Sequence, residues 1–543
     1  MNRRPLILTS LLLAAFAINL DTTIVNVALP TLVRELHASN SQLQWIVDAY
    51  NLVFASFLLA AGSLSDRVGR KGTLLAGLAL FGSASLAGGF ASSSEQLIAA
   101  RCLMGLGAAL VFPATLSLIS NVFTERSERA RAIGLWGATA GMAIALGPIF
   151  GGWLLGRFSW SSIFFAMAPV ALLAGLLVAR FVPTSRDTSA PRADRPGLVL
   201  CTAAMALLVY TIIEAPASGW GSIRTLAGLV GAVALAAAFF AWERRTAEPM
   251  LDLELFRNPR FTAACAAVTV SFFTLFGFIF LMTQYFQFIK GYDALSAGVH
   301  LLPVASSVGV ASVLGTRAAV RFGTKLVVSA GLVMVSCFYL WVATASASTS
   351  YLTIALQMVV YGVGMGLTSA PATEAIMGAV PRAKAGVGSA VNDATRLLGG
   401  TLGVAVIGSV YASVYASRLS AKLPSGMPRG LAGAAEASVG AALVSAERLA
   451  VSGHGLLAGV LHAGASDAFI DGLRIGCLVA GAVAAAGAVL AAARLPAQPL
   501  ETEPFAAAEA PAGPNVLRGA EALAGADARR AELPCGALLV EEA

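Results

Sequence analysis

Charged side chains are scarce in this sequence, and several stand inside long apolar runs. Asp21, Asp48, Arg101, Asp393 and Arg396 are of this kind, while Glu214, Glu374 and His300 lie near the ends of such runs. A charge at the centre of a membrane helix costs about 2.5–3.5 kcal/mol on insertion scales, so each demands a partner or a purpose. A carboxyl held among apolar residues can trade a proton against a cationic ligand. That chemistry makes Asp21 and Asp48 candidate proton carriers; the other reading is a carboxylate hydrogen-bonded to an adjacent helix. Arg101 is permanently charged, and near the start of its helix it could also snorkel to the interface. Asp393 and Arg396 are three residues apart on one helical face, which fits either a self-neutralising pair or a gating element. Glu214 and Glu374 read either as interfacial or as participants, and His300 as a satisfied polar residue rather than a proton relay. No nucleophile–base pair or metal-ligand cluster accompanies them, so an enzyme is not expected. No phosphate-binding loop of the G-x-x-x-x-G-K-[ST] type occurs, so ATP is not the expected energy source.

The elements that must position these groups follow from composition. The 543 residues are 57% hydrophobic and only 12% charged, with a mean hydropathy of +0.78. Soluble domains carry about a quarter charged residues, so a soluble fold is excluded and an all-α polytopic membrane protein is expected. Apolar runs of about 20 residues predict fourteen spans, at 6–29, 42–63, 73–91, 96–120, 132–155, 161–182, 197–215, 222–242, 261–284, 295–316, 324–345, 351–373, 386–412 and 472–494. The run behind Met1-Asn2-Arg3-Arg4 lacks a small-residue cleavage site and is read as a retained first helix. Short loops with Arg67, Arg70 and Lys71, with Arg126, Arg129 and Arg131, with Arg186, Arg192 and Arg195, and with Arg382 and Lys384 fall on one side. The opposite loops offer little beyond Arg34, Arg157, Arg224 and Lys290. The positive-inside rule then places both termini in the cytoplasm. Residues 413–471 form a long external loop on this topology, with short surface helices over 430–461 or a flexible linker. The stretch 495–543, with eight acids against three bases, reads as a disordered cytoplasmic tail.

The chain also repeats itself. Arg67-Val68-Gly69-Arg70-Lys71 returns as Arg321-Phe322-Gly323-Thr324-Lys325, Gly105–Thr115 returns as Gly362–Thr373, and Arg129–Ala132 returns as Arg382–Ala385. The offsets lie within a few residues of one another, and each copy holds the corresponding place. The expected organisation is therefore two pseudo-symmetric six-helix halves, 1–183 and 261–494, with an inserted helix pair and its loops at 184–260. Paired halves around a midplane site are transporter architecture.

These residues resemble the major facilitator superfamily, specifically its 14-helix drug:proton antiporter branch. The likeness rests on Leu20–Pro30, on Gly62–Lys71, on Arg101 with Gly105 and Gly107, on Gly134 with Gly147-Pro148-Ile149-Phe150-Gly151-Gly152, and on Gly388–Val410. Ala143 departs from the fifth-helix pattern, where glycine is common. The resemblance implies that Arg101 couples proton movement to substrate. In the loop, Gly62 and Gly69 permit a tight turn, and Asp66 is expected to meet either N–H groups at the next helix start or an arginine of the other half. Arg67 and Arg70 also serve topology alone. In span 5, Gly137, Gly141 and Ala145 recur on one face and predict close helix packing, while Pro148 and Gly151-Gly152 loosen the backbone. Phe272, Phe273, Phe276, Phe278, Phe280, Tyr285 and Phe286 cluster in span 9, as packing or as an aromatic cavity.

The resulting expectation is a proton-coupled antiporter exporting antibiotic-like, amphiphilic or cationic small molecules by alternating access from a bacterial cell membrane. The competing reading is an exporter of an endogenous metabolite, lipid or siderophore on the same fold. Its partners would be a small-molecule substrate, protons and the bilayer, with no nucleic acid, no cofactor beyond the proton motive force, and a monomeric state.

Overall fold

The computed structural model describes residues 4–186, 194–380, 385–424 and 427–496. The tail beyond residue 496, Arg192 and the Arg382–Lys384 part of the third repeat lie outside them. All described regular structure is helical: α1 (Arg4–Ile24), α2 (Leu29–Leu36), α3 (Asn40–Val68), α4 (Arg70–Gly89), α5 (Ser94–Val122), α6 (Arg126–Leu155), α7 (Ser161–Phe181), α8 (Arg195–Ser218), α9 (Ile223–Glu243), α10 (Pro259–Gln284), α11 (Ala294–His300), α12 (Leu302–Phe322), α13 (Thr324–Val342), α14 (Tyr351–Ala379), α15 (Ala385–Ser420), α16 (Arg429–Ala437), α17 (Val439–Val451) and α18 (Gly455–Arg494). Short 3-10 and π turns join α1 to α2 and extend α10. Fourteen of the resulting segments are long and apolar enough to cross a membrane, matching the fourteen runs read from the sequence.

The repeat is visible in the backbone. Gly69, between α3 and α4, has φ of 132°, and Gly323, between α12 and α13, has φ of 88°. Both occupy conformations that favour glycine, so the two copies of this loop need glycine for the same reason. α1 to α7 form one bundle and α10 to α18 the other. α8 and α9 pack on each other, with α8 seated against α3 and α15.

The two halves meet at the helix ends remote from Gly69 and Gly323. Ser409 of α15 donates to Gln44 Oε1 of α3 at 3.1 Å, and Gln287 donates to the Val27 carbonyl at 3.0 Å. At the opposite ends Val68 and Val320 stand 68% and 83% exposed. The halves are therefore held together by hydrogen bonds at the ends remote from Gly69 and Gly323.

Two expectations change. The segment 413–471 is mostly helical: α15 runs on to Ser420, α16 and α17 follow, and α18 begins at Gly455, nearly five turns before the apolar run at 472. α17 buries Val439, Ala442 and Ala446 on one face. The second change concerns α6. A Cβ added at Gly134, Gly137 or Gly141 would meet nothing within 4 Å, whereas one at Gly147 would lie 3.0 Å from Ile24 N and one at Gly152 would lie 2.6 Å from Leu295 Cα. Close packing is therefore at Gly147, Gly151 and Gly152, where α6 meets α1 and α11, and not at Gly137 and Gly141, which face open space.

Candidate functional site

The centre of the N-terminal half holds a buried ion pair. Asp21 of α1 and Arg101 of α5 are both completely buried, and Arg101 Nη1 donates to Asp21 Oδ2 at 2.5 Å. Arg101 Nε donates to the Ile46 carbonyl of α3 at 2.9 Å, and its guanidinium lies 4.3 Å from the centre of the Tyr50 ring. The Tyr50 hydroxyl donates across to the Ile18 carbonyl of α1 at 2.9 Å. Three helices thus converge on one cation. Gly105 permits the convergence, because its Cα side faces the Tyr50 backbone, with a would-be Cβ only 3.2 Å from Tyr50 Cα. The snorkelling alternative for Arg101 is set aside: its head group points inward and none of it reaches the surface.

The pair is incompletely satisfied. Asp21 Oδ1 and Arg101 Nη2 are buried without a hydrogen-bond partner among the described residues. Asp48, also on α3 and fully buried, has no partner for either carboxylate oxygen among the described residues. Such groups are expensive when buried. A protein that keeps them has acceptors and donors ready for a proton or a ligand, and this is the chemistry the arrangement offers.

The C-terminal half carries a looser polar group. Arg396 Nη1 lies 3.8 Å from Asp393 Oδ1, and Arg396 Nη2 donates to Thr373 Oγ1 of α14 at 3.1 Å. Thr373 in turn donates to Asn392 Oδ1 at 3.2 Å, and the guanidinium sits 5.3 Å from the Phe272 ring centre. Asp393 and Arg396 therefore share a face as their spacing implies, but they belong to a network with α14 and α10. Glu374 is exposed beside it.

Elsewhere the candidates disperse. Asp66 accepts from Arg70 Nε at 2.7 Å within its own half, so neither the free helix-start N–H groups nor an arginine across the halves is its partner in this state. Arg70 N donates to the Ser185 carbonyl at 3.0 Å, tying the loop to the end of α7. Gly62 faces Pro113 of α5, with a would-be Cβ 3.6 Å from its ring. Arg67 is exposed at the loop. His300 binds the Ser296 carbonyl through Nδ1 at 2.6 Å and packs between Tyr292 and Tyr351, a satisfied polar residue. The span 9 aromatics, from Phe272 to Phe286, are all buried, and Phe278 packs on Phe338 and Tyr361. Sequence reasoning missed Tyr50, Gln44 and Thr23, whose hydroxyl donates to the Ile144 carbonyl of α6 at 3.0 Å. Their contacts join helices far apart in the chain, so spacing carries no sign of them.

Two six-helix halves, closed at one end around buried charge, define a carrier-type membrane protein. The chain belongs to the Major Facilitator Superfamily, whose pattern matches residues 11–404. It is 38% identical over 412 residues to the multidrug resistance protein Stp of Mycobacterium tuberculosis, covering 76% of each chain. It is 36% identical over 403 residues to the multidrug efflux pump LfrA of Mycolicibacterium smegmatis, covering 74% of this chain and 80% of that one. In fold it matches the crystal structure of a bacterial homolog of the human lysosomal transporter Spinster, inward-facing and occupied, with a TM-score of 0.66 and 16% identity over 91% of this chain and 98% of that one.

Proposed function

We propose that this chain is an efflux transporter that exports antibiotic-like, amphiphilic or cationic small molecules from a bacterial cell by alternating access, driven by protons moving inward. The reading is supported by its relatives, which are named for multidrug resistance and efflux. The observation that carries the coupling is the buried Asp21–Arg101 pair with its unused valences. A proton delivered to Asp21 cancels the charge that holds Arg101 and leaves the guanidinium on the Ile46 carbonyl and the Tyr50 ring alone. Asp48, without a partner, is the second carboxyl of the N-terminal half able to take a proton or face a cationic substrate. Asp393, Arg396 and Glu374 are the corresponding groups of the C-terminal half.

With Arg67, Arg70 and Lys71 at the cytoplasm, both termini are cytoplasmic and the closed end of the bundle faces outward. The Asp66–Arg70 loop and the Gly147-Pro148–Gly151-Gly152 stretch then act as the two ends of one gate. Opening outward must part α6 from α11. Substrate enters from the open side, and its release outside is exchanged for a proton on Asp21.

Susceptibility profiling of an efflux-deficient host expressing the chain tests the reading. Raised tolerance to cationic and amphiphilic drugs, abolished by a protonophore, is the expected result. Tolerance that survives the protonophore refutes proton coupling, and no change for any compound refutes drug export.

A further inference from the structure

The inserted helix pair leaves a groove that the transport reading does not use. α3 and α8 pack tightly near their middles, where Leu52 meets Val209, Ile212 and Ile213, and Ser56 lies 3.9 Å from the Met205 sulfur. Towards Arg67 and Arg195 the two helices separate. The space between them is a cavity of about 1020 Å³ walled by Phe57, Leu64, Leu106, Leu110 and Leu198. That is at or above the upper end of drug-sized pockets. Its walls come from the α3–α5 side of one bundle and from the peripheral pair.

The depth of the groove fits one leaflet. From Phe57 to Arg67 is ten helical residues, or about 15 Å, half of the roughly 30 Å hydrocarbon core. Its rim carries Arg67 and Arg195, neither of which has an ion pair or side-chain hydrogen bond among the described residues. Arg244 and Arg245 follow directly at the end of α9. Of the two acids on the rim, Asp194 accepts from Trp242 Nε1 at 3.0 Å and from Gly197 N at 3.0 Å, and Glu248 has a partner of its own. Arg67 and Arg195 keep guanidinium donors for an anionic group.

We propose that this groove binds one anionic phospholipid, with its phosphate on Arg67 and Arg195 and its acyl chains along the apolar wall of α3, α5 and α8. The lipid wedges the inserted pair against the N-terminal half at the level of the Arg67–Lys71 loop. Each arginine near a membrane surface is worth roughly a fivefold gain in affinity for an anionic headgroup.

The test is native mass spectrometry of the purified full chain, titrated separately with phosphatidylglycerol and with phosphatidylcholine of the same acyl chains. Phosphatidylglycerol is expected to stay bound at collision energies that strip phosphatidylcholine. Its retention should fall roughly fivefold in Arg195→Gln and about 25-fold in Arg67→Gln/Arg195→Gln. Leu198→Trp, which fills the groove without touching charge, should lower it as well, and serves if the double variant misfolds. Equal retention in wild type and Leu198→Trp overturns the proposal, as does phosphatidylcholine held as firmly as phosphatidylglycerol. Displacement of the lipid by inorganic phosphate would reveal a simple anion site, and displacement by ethidium a substrate site; either result also overturns it.

Discussion

Replacing Asp21 by Asn tests the centre of the transport argument. The substitution keeps the size of the side chain and an acceptor for Arg101 Nη1 but removes the ability to change charge. Arg101 and its partner are both fully buried. Stripping one charge from such a pair costs about 3–5 kcal/mol, of which a retained hydrogen bond to the guanidinium recovers about 1.5–3 kcal/mol. The net loss is about 2 kcal/mol, or roughly 30-fold in any equilibrium between states that bury this pair and states that do not. A packing role for Asp21 would survive at that cost; a proton-carrying role would not survive at all. The assay is substrate-induced proton release in everted vesicles, beside a direct substrate-binding measurement. Binding with no proton release is the expected result. Normal release from Asp21→Asn, with Asp48→Asn inactive, would move the coupling to α3. Normal release from both variants would refute the reasoning and turn attention to Asp393 and Glu374.

Asp66→Ala removes a partly exposed pair with Arg70, worth well under 1 kcal/mol, so membrane expression should stay near normal while turnover falls; unchanged turnover would leave the loop a purely topological role. Gly152→Leu should block transport by driving a side chain into Leu295 and holding α6 off α11, and cysteine reactivity at Leu295 should rise with it. Asp293 caps α11 through Ser296 N at 2.7 Å, and these Ser296 hydrogen bonds hold its carboxyl below the usual range. The cap therefore contributes above the ordinary carboxylate pKa and is lost only as pH falls through the lowered value, and Asp293→Ala should cost about 1 kcal/mol at neutral pH and nothing further in acid, read by thermal unfolding of the purified chain. Cysteines at Ser92 and Val451 should label from outside the cell and one at Thr184 only from within; inside labelling at Val451 would overturn the orientation.

The fold was legible because burial in a bilayer and helix length are both written into apolar runs. It failed where polar residues interrupt a helix yet are paired in space. α18 starts at Gly455, but His462, Asp467 and Asp471 hid its first turns. Lys422 holds Asp467 at 2.9 Å, Arg418 stands 3.6 Å from Asp471, and Arg474 donates to the Ala343 carbonyl at 3.0 Å. The same limit applied at the site. Asp21 and Arg101 stood out as buried charges, and Asp393 and Arg396 as neighbours on one face. That Arg101 belongs to Asp21, with Tyr50 beneath it, depends on how α1, α3 and α5 lean together. Residue spacing along one helix cannot express that.

The small-residue pattern of α6 teaches a related point. Glycines at 134, 137 and 141 have the spacing of a packing face, yet they border open space, while Gly147, Gly151 and Gly152 bring the backbone against α1 and α11. Only the second group lies where the halves close. The same end carries the Gln44–Ser409 hydrogen bond, and α17 adds a further layer, since Gly440 lies against both Val33 of α2 and Phe288. Outward opening therefore has to undo contacts of three kinds at one level: glycine faces, the Ser409–Gln44 and Gln287–Val27 hydrogen bonds, and an apolar cap. None is strong alone, and each breaks without exposing a charge. The expensive group, the Asp21–Arg101 pair, lies deeper, beneath all three. On the proposed reading the gate moves cheaply and the buried pair decides when it does, which is the division a coupled carrier needs.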